Sequence, residues 1–153
     1  VTAAGGAAAI LRTSWVVSAH GNNFVKTMLR LGAERDALSI VADQIGAPTM
    51  ARDIAAACIA MAQQLISDPT KAGIYHFCSA PQCSWAGFAR EIFVQADIAC
   101  AVTDIPSSDY PTPAVRPLNS RMDCALLEAV FGIPQPDWRL GLRDILKDFG
   151  DKI

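Results

Sequence analysis

Apolar positions along the chain follow two spacings, one typical of strands and one typical of helices. Short apolar runs predict strands over residues 7–17, 38–42, 74–78 and 101–106. Apolar residues three or four positions apart predict helices over residues 24–35, 51–66, 85–96, 124–131 and 138–149. Because the predicted strands and helices alternate, the predicted fold class is α/β.

Polar residues that cap helices stand immediately before four of the predicted helices. These residues are Asn22 or Asn23, Ser84, Asp123 and Asp137. A side-chain oxygen at this position accepts a hydrogen bond from a free backbone N–H of the first helical turn. The capping residues therefore support the predicted starts of these helices.

The composition indicates a folded protein rather than a disordered or fibrous one. The 153 residues are 52% hydrophobic and 18% charged, with a formal net charge of −2. The sequence contains no run of basic residues that would cover one face, so it gives no support for nucleic-acid binding. No apolar run reaches the roughly 18–20 residues of a membrane span. The chain begins with small residues and no initiator Met. Its first strand also needs sheet neighbours that the other strands hardly supply, so we expect a fragment of a longer protein.

The cysteine and histidine residues do not form a recognisable metal-binding or disulfide pattern. Five cysteines are odd in number and contain no C-x-x-C pair. We expect reduced, mostly buried thiols in a protein of the cytoplasm. His20 and His76 lack the spacing of metal ligands, and His76, between two aromatic residues of a strand, is predicted to be packed.

Three polar stretches carry the candidate chemistry, while G-x-G-x-x-G, P-loop and G-x-S-x-G motifs are absent. The stretches are residues 12–24, with Trp, His and two Asn after a strand, then residues 43–49 and residues 110–123. The last stretch holds Arg116 and Arg121 among prolines, and arginine binds phosphate through two parallel hydrogen bonds. Together the three stretches predict a pocket for a phosphorylated ligand whose ring stacks on an aromatic side chain.

Four motifs in these regions resemble those of the dTDP-4-dehydrorhamnose reductases. They are R-T-S-W-V, G-N-N-F, D-Q-x-G-x-P-T and Y-P-T-P-A-x-R-P-x-N-S-R, and the similarity extends over residues 9–149. That family consists of Rossmann-like extended short-chain dehydrogenase/reductases. The resemblance implies that residues 1–153 form a single partial domain. This domain would hold the last strands of the sheet and a small α/β lobe that binds a sugar nucleotide.

The resemblance also implies an activity. Such enzymes use NADPH or NADH to reduce the C4 keto group of dTDP-4-dehydro-6-deoxy-L-mannose. The product, dTDP-L-rhamnose, serves cell-wall polysaccharide and lipopolysaccharide O-antigen synthesis. Their proton donor is the tyrosine of a Tyr-x-x-x-Lys pair, whereas Tyr75 and Tyr110 have no lysine four residues later. No catalytic residue is predicted in this chain, and the chain alone is predicted to be inactive.

Site residues are carried over from the family motif by motif. Trp15 would face the sugar near the nicotinamide, and Asn23 with the helix from Phe24 would approach the diphosphate through the positive helix end. The other substrate contacts would be Gln44, Arg116 and Asn119, and the cofactor contacts would be Thr13 and Ser14.

Two positions depart from the family pattern. Val17 stands where many relatives have tyrosine, and Arg52 stands where some relatives have an acidic residue that binds magnesium between two subunits. No metal is therefore predicted, and a homodimer without one is left open. Two other functions also stay open. One is a non-catalytic regulatory module related to the reductases, and the other is a reductase or epimerase of another nucleotide sugar.

Overall fold

Helices and short strands alternate along the chain, as the apolar pattern predicts. The structure is a computed structural model that describes Ala3, residues 5–114 and residues 116–150. The strands are β1 (Ala9–Arg12), β2 (Val16–Val17), β3 (Ala37–Val41), β4 (Ile45–Gly46), β5 (Thr49–Met50), β6 (Gly73–His76), β7 (Cys83–Ser84) and β8 (Ala101–Ile105). The α-helices are α1 (Phe24–Glu34), α2 (Ala51–Ser67), α3 (Trp85–Gln95), α4 (Ala125–Phe131) and α5 (Trp138–Gly150). The α/β class is confirmed.

In the described part of the chain, the eight strands pair two by two, and three of the four pairs are parallel. β1 pairs with β6, β2 with β5 and β3 with β8 in parallel, whereas β4 and β7 are antiparallel. Helices connect the parallel partners, which is the usual way to join parallel strands. Among the described residues, no helix is long and apolar enough to cross a membrane.

The prediction of one continuous strand over residues 7–17 is wrong. β1 ends at Arg12. The Arg12 carbonyl accepts a hydrogen bond of 2.9 Å from the backbone N–H of Phe77, the residue that follows β6. β2 starts at Val16 and pairs with β5, and Thr49 N donates to Trp15 O at 3.0 Å. The chain therefore changes partner between the two strands. Trp15 lies between the two strands and adopts a left-handed backbone conformation, with φ at 51°, which is uncommon for a residue with a side chain.

Two main clusters of buried side chains form the core. The larger lies between α1, α3 and α5 and includes Val25, Phe88, Ile92 and Leu142, all at 0% exposure. Trp138 belongs to the same cluster, with its ring edge-on to Phe88 and the two ring centroids 5.3 Å apart. The second cluster packs α2 and α4 against β6 through residues such as Met61, Tyr75 and Leu127. The helical apolar spacing of the sequence corresponds to these buried faces.

Three of the four predicted capping residues, Asn23, Ser84 and Asp137, stand immediately before their helices. Asp123 does not, because α4 begins at Ala125 and the preceding residue, Cys124, makes no side-chain capping bond. The Asn23 and Ser84 side chains accept hydrogen bonds from Lys26 N and Gly87 N. Asp123 and Asp137 each accept from the backbone N–H two residues later, at 3.0 and 2.9 Å. These bonds satisfy backbone donors that the first turn of a helix leaves free.

The cysteines are free thiols of differing exposure. Cys78 and Cys124 are buried with their sulfurs 3.7 Å apart, Cys83 and Cys100 are half-buried, and Cys58 is exposed. Burial raises the pKa of Cys83 to about 12 and that of Cys78 to about 11. These two groups therefore stay protonated at neutral pH, which makes them poor nucleophiles.

Candidate functional site

Three aromatic side chains from different elements meet where β1 gives way to β2. Trp15 stacks on Trp85 with ring centroids 3.7 Å apart and planes 13° apart. Phe24, the first residue of α1, lies 4.6 Å from Trp85. We call Trp15, Trp85 and Phe24 the aromatic platform. Phe24 is tilted by 48° to Trp85, and all three side chains are half-buried. Such a cluster offers apolar area against which a ligand ring can pack.

Gly46 helps to fix the plane of the Trp15 indole. A Cβ built on Gly46 would lie 2.7 Å from Trp15 Cε2, closer than real side chains approach. Only a glycine allows the β4 backbone to come so near the ring. Trp85 and Gly46 together hold Trp15 in place.

A chain of hydrogen bonds links the aromatic platform to an exposed carboxylate. Trp85 Nε1 donates to Gln44 Oε1 at 3.2 Å, and Gln44 Nε2 donates to Ser107 Oγ at 2.9 Å. Ser107 Oγ in turn donates to Asp43 Oδ1 at 2.6 Å. Gln44 thus connects two parts of the protein through both groups of its carboxamide. Its predicted contact with a nucleotide sugar stays a prediction.

The proline-rich loop, residues 107–120, is fastened to the segment beside the aromatic platform. Ile45 N donates to Leu118 O at 2.9 Å, and Ser120 N donates to Ile45 O at 2.8 Å. Ser14 Oγ donates to Ser120 O at 3.4 Å. Asn119 forms a bridge with Ile45, and its side chain accepts from Arg121 N. Arg116 is exposed between the two anchored ends of the loop.

Asn23 uses its side chain within its own turn of the backbone. Oδ1 accepts from Lys26 N at 3.3 Å, and Nδ2 donates to Ser18 O at 2.7 Å. The amide therefore caps α1 and also ties the preceding loop to the helix. A ligand approaching this end of α1 would meet backbone N–H groups and the positive end of the helix dipole.

Replacing Asn23 by alanine is expected to lower the free energy of unfolding by about 1–2 kcal/mol, because the cap and the bond to Ser18 are lost together. Urea denaturation followed by circular dichroism measures the change. Asn22→Ala is the matched control, since Asn22 is exposed, and its effect should stay within about 0.5 kcal/mol. An equal loss in both variants would contradict the capping role.

Thr13 and Ser14 follow β1 directly, at the carboxyl end of that strand. In open α/β sheets, ligands bind beyond this end of the strands. Thr13 Oγ1 is buried and has no hydrogen-bond partner among the described residues. A buried hydroxyl of this kind needs a partner, and a bound group is one way to provide it.

Charged residues at the start of α2 form ion pairs. Arg52 contacts Asp144 of α5 at 2.6 Å. The hydrogen bond from Arg52 lowers the pKa of Asp144. Burial raises the pKa of the neighbouring Asp53, an effect that Arg52 partly opposes. Within the described part of the chain, no three acidic, histidine or cysteine side chains are grouped to hold a metal ion.

Sequence reasoning missed several residues that build this site. Trp85 is only the first residue of the helix predicted over residues 85–96, and Asp43, Gly46 and Ser107 are not among the predicted site residues. Asp43 and Gly46 lie in the D-Q-x-G-x-P-T stretch, so that motif contained the signal. Trp85 gave none, because an aromatic residue on an apolar helix face is normally part of the core.

Comparison with known proteins identifies the family. Residues 1–150 match the family described as the RmlD substrate binding domain. The chain belongs to this family. The family predicted from the four motifs is thereby confirmed.

Individual relatives carry the name of the enzyme family whose motifs the sequence resembles. The chain is 47% identical to the dTDP-4-dehydrorhamnose reductase of Aggregatibacter actinomycetemcomitans, over 89% of this chain and 49% of that protein. It is 45% identical to that of Sinorhizobium fredii, over 90% of this chain and 48% of that protein. The chain thus spans about half the length of the curated relatives it matches.

Solved structures show the same correspondence. The dTDP-4-dehydrorhamnose reductase of Clostridium acetobutylicum superposes with a TM-score of 0.83 at 34% identity, covering 93% of this chain and 49% of that chain. The Bacillus anthracis enzyme, in complex with NADP, gives 0.79 at 38% identity, with 92% and 48% covered.

Proposed function

We propose that this chain is the sugar-nucleotide lobe of a dTDP-4-dehydrorhamnose reductase. One observation supports this assignment above the others. The fold gathers three separate polar stretches of the sequence around the aromatic platform, and one of them is the arginine-bearing loop. The names of the relatives supply the ligand class, a dTDP-linked 4-keto sugar. Reduction of its C4 keto group would give dTDP-L-rhamnose.

The proposed contacts follow from the chemistry of the side chains. Trp15 would pack against the sugar through the part of the half-buried indole that Trp85 and Gly46 leave uncovered, because an indole offers apolar area to a sugar. Arg116 would bind the diphosphate through its planar guanidinium, and Asn119, at the end of the same loop, would donate to the nucleotide sugar. Phe24 and Asn23 mark the start of α1, whose free N–H groups and dipole favour an anion. Gln44 would add a contact through its remaining amide hydrogen.

The cofactor proposed for the whole protein is NADPH or NADH. The buried, unpartnered Thr13 hydroxyl and its neighbour Ser14 suit a contact with it at the carboxyl end of β1. When bound, the nicotinamide supplies the hydride for the C4 carbon of the sugar. This chain would orient the sugar and shield it from water. The proton would come from the tyrosine of a Tyr-x-x-x-Lys pair, which this sequence does not contain.

The substrate proposal is tested by titrating the 153-residue chain with dTDP in a calorimeter. We expect saturable binding that weakens about tenfold in Arg116→Ala, the loss of one charged hydrogen-bonding group on phosphate. Arg143→Ala is the matched control, since Arg143 is an exposed arginine of α5, and its affinity should be unchanged. Equal affinities in both variants would exclude Arg116 from the site, and no binding to the unaltered chain would contradict the substrate proposal.

The catalytic proposal is tested with NADPH and the dTDP-linked 4-keto sugar. The full-length protein should oxidise NADPH and form dTDP-L-rhamnose, identified by NMR, while the 153-residue chain alone should oxidise none. Turnover by the 153-residue chain alone would contradict the proposal that this chain binds the sugar and that the proton donor lies elsewhere in the full-length protein. Binding of dTDP without turnover by the full-length protein would favour a non-catalytic module, and another product would reassign the sugar. A cytoplasmic location stays a prediction, which fractionation tests. Whether the protein forms a homodimer stays open, and light scattering decides it.

A further inference from the structure

The hydrogen bonds beside the aromatic platform all run in one direction. Each donor in the chain from Trp85 through Gln44 and Ser107 points towards Asp43, and no group serves in conflicting roles. Asp43 is the only charged member, and it ends the chain. Neighbouring hydrogen bonds that point the same way polarise and strengthen one another.

Asp43 also holds the backbone where the proline-rich loop begins. Ser107 N donates to Asp43 Oδ1 at 3.0 Å and to Oδ2 at 2.9 Å, in addition to the bond from the Ser107 hydroxyl. The other end of the loop is fastened to Ile45, two residues after Asp43. Both ends of the loop that carries Arg116 therefore rest on a segment of three residues, Asp43 to Ile45.

We propose that Asp43 is a positioning residue that sets the aromatic platform and the arginine-bearing loop relative to each other. Through Ser107 and Gln44 it orients the Trp85 indole, and Trp85 in turn fixes the Trp15 ring that stacks on it. Its direct bonds to Ser107 fix the first residue of the loop. The importance of this geometry for ligand binding rests on the proposed function.

The Asp43 carboxylate is well suited to this role. Hydrogen bonds from the Ser107 side chain and backbone lower its pKa, so it is ionised at neutral pH. A carboxylate is purely an acceptor and can therefore receive all three Ser107 bonds, and charge-assisted bonds are stronger than neutral ones. Without Asp43, the Ser107 hydroxyl could rotate to donate elsewhere, and the Gln44 amide would lose its fixed acceptor. The Trp85 indole would then be free to tilt away from Trp15.

The experiment compares Asp43→Ala and Ser107→Ala with two matched controls from the same turn. Ser108→Ala and Asp109→Ala remove a hydroxyl and a carboxylate from the two residues that follow Ser107. These two side chains hydrogen-bond to each other and not to Asp43, Gln44 or Trp85. The first measurement is the exciton couplet in circular dichroism that we expect from two indoles stacked as closely as Trp15 and Trp85. We expect the couplet to shrink in Asp43→Ala and Ser107→Ala, to be kept in both controls, and to be restored by Ser107→Thr, which keeps the hydroxyl.

The second measurement is the dissociation constant for dTDP. It should rise about tenfold in Asp43→Ala and Ser107→Ala and stay unchanged in the controls. Asp43→Asn, which keeps acceptor oxygen but loses the charge, serves if Asp43→Ala fails to fold and should show a smaller loss of the same kind. An undiminished couplet in folded Ser107→Ala and Asp43→Asn would overturn the proposal, as would failure of Ser107→Thr to restore it. Because the couplet needs no ligand, a chain that does not bind dTDP would contradict the proposed function while the couplet still decides the role of Asp43.

Discussion

Replacing Trp138 by alanine is expected to lower the free energy of unfolding by about 3–5 kcal/mol. Trp138 is 1% exposed and is the largest fully buried side chain of the described core. Its removal would leave a cavity between α3 and α5 and would deprive Phe88 of its edge-on partner. It would also leave Pro81 O without the hydrogen bond that Trp138 Nε1 donates at 2.6 Å. Domains are stable by only about 5–15 kcal/mol, so this loss is a large fraction.

Denaturation in urea, followed by far-ultraviolet circular dichroism, measures the change. Trp138→Phe keeps most of the ring but not the N–H, so it should cost less than alanine. Leu140→Ala is the matched control on the same helix, because Leu140 is 56% exposed, and it should cost no more than about 0.5 kcal/mol. If Trp138→Ala cost no more than Leu140→Ala, the core between α3 and α5 would be wrongly described.

The helices could be predicted because their signals are local. In α1 and α3, the apolar spacing and the capping residue lie within a dozen neighbouring positions, and both are read directly from the sequence. Ser84 therefore gave the first residue of α3 correctly, and of the two candidates Asn22 and Asn23 it is Asn23 that caps α1. The buried faces of these helices then followed from the same spacing.

The break between β1 and β2 could not be predicted, because its cause lies far away in the chain. β1 pairs with β6, more than sixty residues later, and β2 pairs with β5. The residues of an apolar run do not indicate at which position the neighbouring strand in the sheet changes. The same reason explains why β4, β5 and β7, each of two residues, were not predicted. Their conformation depends on a neighbour rather than on their own composition.

The candidate site was predictable in its parts but not in its assembly. The residues around Trp15, Gln44 and Arg116 stood out as polar or aromatic groups where plain turns would suffice. Their connection required Trp85 and Ser107, which look like an ordinary core residue and an ordinary loop residue in the sequence. Only the fold shows that these two side chains join the three stretches.

Replacing Gly46 by alanine is expected to displace Trp15 and to lower the free energy of unfolding by about 1–3 kcal/mol. The new Cβ would lie 2.7 Å from Cε2 and 3.0 Å from Nε1 of a ring that Trp85 already holds. Because the contact is with a rigid ring and not with the flexible end of a side chain, the ring or the β4 backbone must move. The exciton couplet of the Trp15–Trp85 pair should therefore fall together with stability, and dTDP affinity should fall with it if Trp15 faces the sugar.

Gly87→Ala separates this steric effect from the general effect of adding a methyl group. Gly87 lies in α3, two residues from Trp85, and its added Cβ would meet Ser84 Oγ at an ordinary 3.4 Å. Alanine favours a helix over glycine by up to about 1 kcal/mol, so this variant should be as stable as the unaltered chain or more so, with its couplet intact. Loss of the couplet in both variants would show that the stack is sensitive to any change nearby. Loss in Gly46→Ala alone would establish that the close approach of β4 holds Trp15, since only that variant places an atom against the ring.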